Sequence, residues 1–253
     1  MRALEWIVIT YSAVFGLLAT IGPRRSRSST ALVVSVVTIA LAALAPRAPL
    51  FLRLLAPNFY LVAGYWLPAL VVPKSAAGLA SSPFERWLAH TDALLRPRLP
   101  PVPAPIATLT ETAYLLCYPV VPVSLALVWW VGGADAVPRF WMTVLLSGLA
   151  CYASLPWLLS RPPDRTGLHT LALRRVNRFV LARVSHSWTT FPSGHVAVSW
   201  AAALAVSRVS LAGGLLLAAI ALGVTVGAAA GRYHYVIDVL LGVAVAVAAV
   251  VIT

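Results

Sequence analysis

Eight apolar runs, at residues 4–21, 30–45, 52–72, 106–131, 138–159, 194–208, 214–231 and 235–252, leave this chain few ways to fold. A segment in hydrocarbon must satisfy its own backbone polar groups, and a helix of about 20 apolar residues does so across ~30 Å. Only 10% of the 253 residues are charged and 60% are hydrophobic, where a soluble domain carries about 25% charged residues. The expectation is an all-α, polytopic transmembrane helical bundle of about six to eight helices in a single domain. It is expected to be a multi-pass protein of a bacterial inner membrane. The run at 30–45 is short for a bilayer. The run at 52–72 contains Pro57, Asn58 and Pro68, and it either spans or is re-entrant.

Residues 83–99 depart from this pattern. Phe84, Trp87, Leu88, Leu94 and Leu95 alternate with polar groups at helical spacing, which predicts an amphipathic helix lying in the interface. Residues 1–82 then read as N-terminal accessory helices and 83–253 as the core. The prolines from Pro97 to Pro105 make a stiff connector. Within the core, 160–192 is the one long polar segment.

The net charge is +12, from 19 Lys and Arg against 7 Asp and Glu. The basic residues sit in short loops between apolar runs, which fits anionic headgroups and positive-inside orientation rather than nucleic acid. Cys117 and Cys151 fall inside apolar runs, without Cys-x-x-Cys spacing, and read as small apolar residues. The first run has no small-x-small cleavage site and is expected to be retained.

Three polar elements lie at the ends of apolar runs: Arg161-Pro162-Pro163-Asp164-Arg165, Phe191-Pro192-Ser193-Gly194-His195, and Tyr233-His234-Tyr235-Val236-Ile237-Asp238. Charged groups at the mouth of a membrane bundle are costly to place and usually functional. His234 and Asp238 are four apart and share one helix face, about 6 Å from each other. A carboxylate there can hold one imidazole nitrogen and make the other more basic, as an orienting group does for a nucleophile. His195 adds a second imidazole, suited to proton transfer near neutral pH. Arg161 and Arg165 offer forked donors for phosphate oxygens. Ser193 can cap the helix that follows, and the amides of Ser193 and Gly194 at its positive end can take phosphate oxygens. The order of runs brings all three elements to one side of the bundle. The plain alternatives are an interfacial His–Asp anchor, a capping histidine, and positive-inside charge at Arg165.

The Arg-Pro, Pro-Ser-Gly-His and His-x-x-x-Asp order resembles the type 2 phosphatidic acid phosphatase superfamily over roughly residues 85–250. The resemblance implies that His234 attacks phosphorus to form a phosphohistidine, that Asp238 holds its far nitrogen, and that His195 protonates the leaving oxygen. Arg161 would clamp the phosphate, with Arg165 as a second clamp. The superfamily's mechanism needs no cofactor or metal, and the sequence has no His-Glu-x-x-His motif or Asp-rich cluster. Two of the superfamily's cations are missing: Ser154 stands seven residues before Arg161, and Ala228 six before His234. Arg232 could replace one, with Arg174, Arg175 and Arg178 as further candidates or as a lipid-facing basic patch. These departures lean toward the branch resembling inositol phosphorylceramide synthase-like enzymes, as do Glu111, Tyr114 and Tyr118 at helical spacing, whose plain reading is polar packing.

The expected function is hydrolysis of a lipid phosphate monoester or pyrophosphate, with transfer of a phospholipid headgroup to a lipid alcohol as the alternative. The expected partners are that lipid and the bilayer, with no nucleic acid; a homo-oligomer stays open. A transporter would call for repeated halves with discontinuous helices, and no repeat is visible. An inactive scaffold is the third reading, favoured by Ser154 and Ala228 and opposed by His195, His234 and Asp238. His90 and Asp92 read as a solvated face, and His169 and His186 have no evident partner and are assigned no metal. If 52–72 spans, the three elements share a side with Arg24, Arg25 and Arg27. The superfamily places its site extracytoplasmically, whereas that cluster favours the cytoplasm.

Overall fold

The structure, a computed structural model, describes residues 3–21, 28–73, 82–96, 103–164 and 172–253. The described residues form an all-α polytopic bundle of α1 (Ala3–Ile21), α2 (Ser29–Leu44), α3 (Leu50–Leu70), α4 (Pro83–Leu95), α5 (Ala104–Leu115), α6 (Val120–Ala153), α7 (Ala172–Val184), α8 (Gly194–Ser207), α9 (Leu211–Ala230) and α10 (Val236–Ile252). Five helices are long and apolar enough to cross a membrane: α1, α2 with its short 3-10 extension to Arg47, α3, α6 and α9. By length and composition this is an integral membrane protein. The shorter α8 and α10 are equally apolar and pack on α6 and on each other at the centre.

Two expected boundaries move. The run at 106–131 divides into α5 and the first arm of α6, across a turn at 116–119. The break between the runs at 106–131 and 138–159 is a bend inside α6, where Gly133 takes φ +70°. A glycine adopts that positive φ without a Cβ penalty, so the chain turns back there between two helical arms. Part of the proline connector lies outside the described residues.

The ends of the bundle can be told apart by their contacts. At one, the Arg139 Nε donates to the Thr253 carbonyl at 2.8 Å and Arg208 reaches the Val250 carbonyl. The Trp141 indole donates to the Leu54 carbonyl at 2.9 Å in the same half. Helix α3 starts there and ends at the other pole, where Tyr65 stacks on His186 at 4.4 Å. It therefore runs through the bundle rather than re-entering. Ile21 and Ser28 lie at the same pole as the end of α3, since Ala19 and Ala31 pack with Leu67 and Val71.

Helices α4 and α7 lie at that second pole, and each buries a polar residue while exposing apolar and charged ones. Helix α4 buries Leu88 and Asp92 and exposes Trp87 and Leu94. Helix α7 buries Arg174 and Asn177 and exposes Val176, Phe179 and Val184. Exposed apolar side chains beside exposed arginines, Arg86 on α4 and Arg175, Arg178 and Arg183 on α7, suit helices lying at a bilayer interface. Helix α4 matches the interfacial helix expected at 83–99. Helix α7 was not expected, because its polar residues, read alone, made the 160–192 segment look like a loop.

Candidate active site

Helix α10 begins at this pole on two carboxylates. Asp92 of α4 accepts the Val236 amide at 3.1 Å, and Asp238 accepts the Tyr235 amide at 3.3 Å. Both satisfy amides that a helix N-terminus leaves unpaired and oppose its positive end. Asp92 is 3% exposed, which corrects the solvated face expected of it. The turn before α10 is tight. The amides of Tyr233 and His234 both donate to the Ala228 carbonyl, at 3.0 and 3.1 Å, and Arg232 takes φ +55°, uncommon for a residue with a side chain. This turn delivers His234 with Nδ1 3.4 Å from Asp238 Oδ2, both side chains buried. In the tautomer that this pairing favours, Nδ1–H donates and Nε2 keeps its lone pair.

His195, in the first turn of α8, lies opposite, its ring centroid 6.1 Å from that of His234 at an interplanar angle of 63°. The two helix starts are tied directly: the Ser193 amide donates to the Asp238 carbonyl at 3.0 Å. The segment before α8 is stitched to the one after α6. Thr189 pairs with Ser160 by a 2.9 Å backbone bond and a 2.7 Å hydroxyl contact. Ser154 closes the same junction by donating to the Phe191 carbonyl. Ser154 thus ties α6 to the Ser-Gly-His segment. Ala228, six residues before His234, is fully buried among Tyr114, Val196 and Tyr233, with no room for an arginine.

The two histidines line the more polar of two cavities, of about 480 Å³, together with Pro162, Arg178, His186 and Tyr233. A second cavity, of about 540 Å³, is mostly apolar and is lined by residues such as Trp66, Val121, Tyr152 and Val198. His195 and Tyr65 belong to the walls of both. His186 is the site residue that sequence reasoning missed. It has no motif around it, and only the fold of 185–190 brings it in. Neither of its ring nitrogens makes a well-formed hydrogen bond among the described residues. Burial lowers its pKa to about 4, and the neighbouring His234 pushes the same way. His186 is therefore a neutral ring in this wall.

Several expected contacts take a different form. The amides of Ser193 and Gly194 are already used, by the Asp238 carbonyl and by Thr190 Oγ1 at 3.1 Å, so they are not a vacant phosphate cradle. The Ser193 side chain makes no capping bond to α8. Gly194 serves close packing instead: a Cβ there would stand 2.2 Å from Tyr152 Cε1. Arg161 pairs with Glu85 of α4 at 3.0 Å, while its neighbour Pro162 reaches the cavity wall. Arg232 lies 3.9 Å from Asp92, on the α4 side. Arg174 is not lipid-facing: it is buried against Glu111 at 2.7 Å. Among the described residues of the polar cavity, the one arginine or lysine is Arg178. Arg165 and His169 lie outside the described residues. The cluster can position a nucleophilic imidazole, a second imidazole across from it and one cation around a tetrahedral anion. A scan against protein-family models finds no match to this chain, and searches of curated proteins and of solved structures find none either.

Proposed function

We propose that this protein is a membrane-embedded lipid phosphatase of a bacterial inner membrane, related to the type 2 phosphatidic acid phosphatases. It acts on a lipid phosphate monoester or pyrophosphate. The observation that carries the reading is His195 facing His234 across a polar cavity, with Asp238 behind His234 and an apolar cavity beginning at His195. His234 Nε2 attacks phosphorus while the ester P–O bond breaks. His195 gives its proton to the departing alkoxide, whose hydrocarbon lies in the apolar cavity. Water then cleaves the phosphohistidine, returning its proton to His195. Asp238 stabilises the imidazolium that forms on attack, and Arg178 balances the phosphate charge.

One observation favours headgroup transfer as a second reading. A phosphate monoester carries nearly two negative charges near neutrality, and a diester carries one. A wall with Arg178 as its one cation among described residues suits the diester. The test is free phosphate release by detergent-purified protein from phosphatidic acid, phosphatidylglycerol phosphate and polyprenyl pyrophosphate, beside the His234→Ala variant. Release from one of these, lost in the variant, is expected. Release that survives His234→Ala refutes the assignment. No release from any of them moves the reading to headgroup transfer, followed with phosphatidylinositol and ceramide or diacylglycerol.

A further inference from the structure

Behind the cavity wall, Glu111 of α5 is 1% exposed and gathers three donors. Arg174 Nε donates to Oε1 at 2.7 Å. Asn177 Nδ2 and the Tyr233 hydroxyl each donate to Oε2 at 2.6 Å. Asn177 Nδ2 also lies 2.9 Å from the Glu111 carbonyl oxygen. A buried carboxylate is tolerated when its lone pairs are filled by charged or strongly polar donors, and these donors come from two separate parts of the site. Arg174 and Asn177 belong to α7. Tyr233 is the residue before His234.

Both parts bear on the cavities. Helix α7 packs principally on α5. It lends Arg178 and Leu181 to the wall of the polar cavity and Arg183 and Val184 to that of the apolar one, so it roofs the place where the two meet. Tyr233 lies face to face with Tyr114 of α5, centroids 4.2 Å apart, and the Tyr114 ring is 5.7 Å from that of His195. We propose that Glu111 is a positioning residue whose single carboxylate fastens α7 over the cavities and holds the Tyr233–His234 turn beneath them. Its kinetic consequence rests on the phosphohistidine reading; the fastening itself does not. Glu111 touches no reacting atom, and it acts through Tyr233 on the nucleophile and through α7 on the fit of the substrate.

The donors can be removed one at a time. Tyr233→Phe deletes one hydrogen bond and keeps the ring stack. Asn177→Leu loosens α7 alone, and Glu111→Gln weakens both sides. Amide hydrogen exchange in detergent should quicken by about tenfold in 231–236 for Tyr233→Phe, in 172–184 for Asn177→Leu, and in both for Glu111→Gln. With phosphatidic acid micelles as the probe, Tyr233→Phe should lower kcat by about tenfold with KM unchanged, and Asn177→Leu should raise KM with kcat unchanged. Glu111→Gln with both segments still protected overturns the proposal, whether or not that lipid is turned over. So does any of the three variants that lowers thermal stability while leaving both kcat and KM at wild-type values. A wild-type protein inactive on every lipid phosphate and headgroup donor, yet with the expected exchange pattern, upholds the fastening and rejects the catalytic reading.

Discussion

Replacing Asp238 by Asn tests the centre of the proposed chemistry. The carboxylate lies 3.4 Å from His234 Nδ1 and is fully buried. A full positive charge on the ring would be stabilised by about 5 kcal/mol at that distance and an effective dielectric of 20. With roughly half of that charge developed in the transition state, about 2.5 kcal/mol is lost, or on the order of 10²-fold in kcat. An Asn carbonyl can still accept the Tyr235 amide that Asp238 now holds at 3.3 Å, so the start of α10 should survive, since Asn and Asp cap comparably. The assay is single-turnover phosphoryl transfer with the best substrate of the panel, beside a thermal melt in detergent. A kcat within about threefold of wild type, with the melt unchanged, would refute the role given to Asp238.

Three further outcomes follow from the geometry. Gly194→Ala places a methyl 2.2 Å from Tyr152 Cε1; overpacking of about 1–3 kcal/mol should lower Tm by roughly 3–10 °C, and adding Tyr152→Leu should recover most of it. His186 titrates near 6.5 when unfolded and about 4 when folded. Between those values the unfolded chain binds the extra proton, so stability falls on acidification, by up to about 3 kcal/mol at pH 4; His186→Phe should flatten that acid limb in melts from pH 7 to 4, and parallel curves would count against a buried neutral ring. Because α3 runs pole to pole, cysteines introduced at Ser28 and at Ser187 should react with an impermeant maleimide from the same side of sealed vesicles, and opposite labelling would contradict the path of α3.

The membrane bundle and the participants in the candidate site were legible in one dimension. Apolar runs report helices directly, because in hydrocarbon each must bond its own backbone. His195, His234 and Asp238 were legible because the His-x-x-x-Asp pair is local, four residues along one helix, and the Ser-Gly-His element sits where a run begins. Where α7 and Asp92 were misread and His186 was left without a role, the missing information was the partner. A helix such as α7, which buries Arg174 and Asn177, reads as a polar loop until Glu111 is supplied. Asp92 looks solvated until the start of α10 arrives beside it, 144 residues further along.

The sequence by itself therefore determined the solvent this chain folds in, the helical class that solvent permits, and the imidazole–carboxylate pair, since each depends on composition or on neighbours within one turn. Tertiary structure alone decided which cations face the cavity. Arg161 and Arg174, alike in sequence to any phosphate clamp, are claimed by Glu85 and Glu111, while Arg178 is left on the wall. A guanidinium in a medium of low dielectric goes to the nearest carboxylate, and which carboxylate is nearest is a property of helix packing.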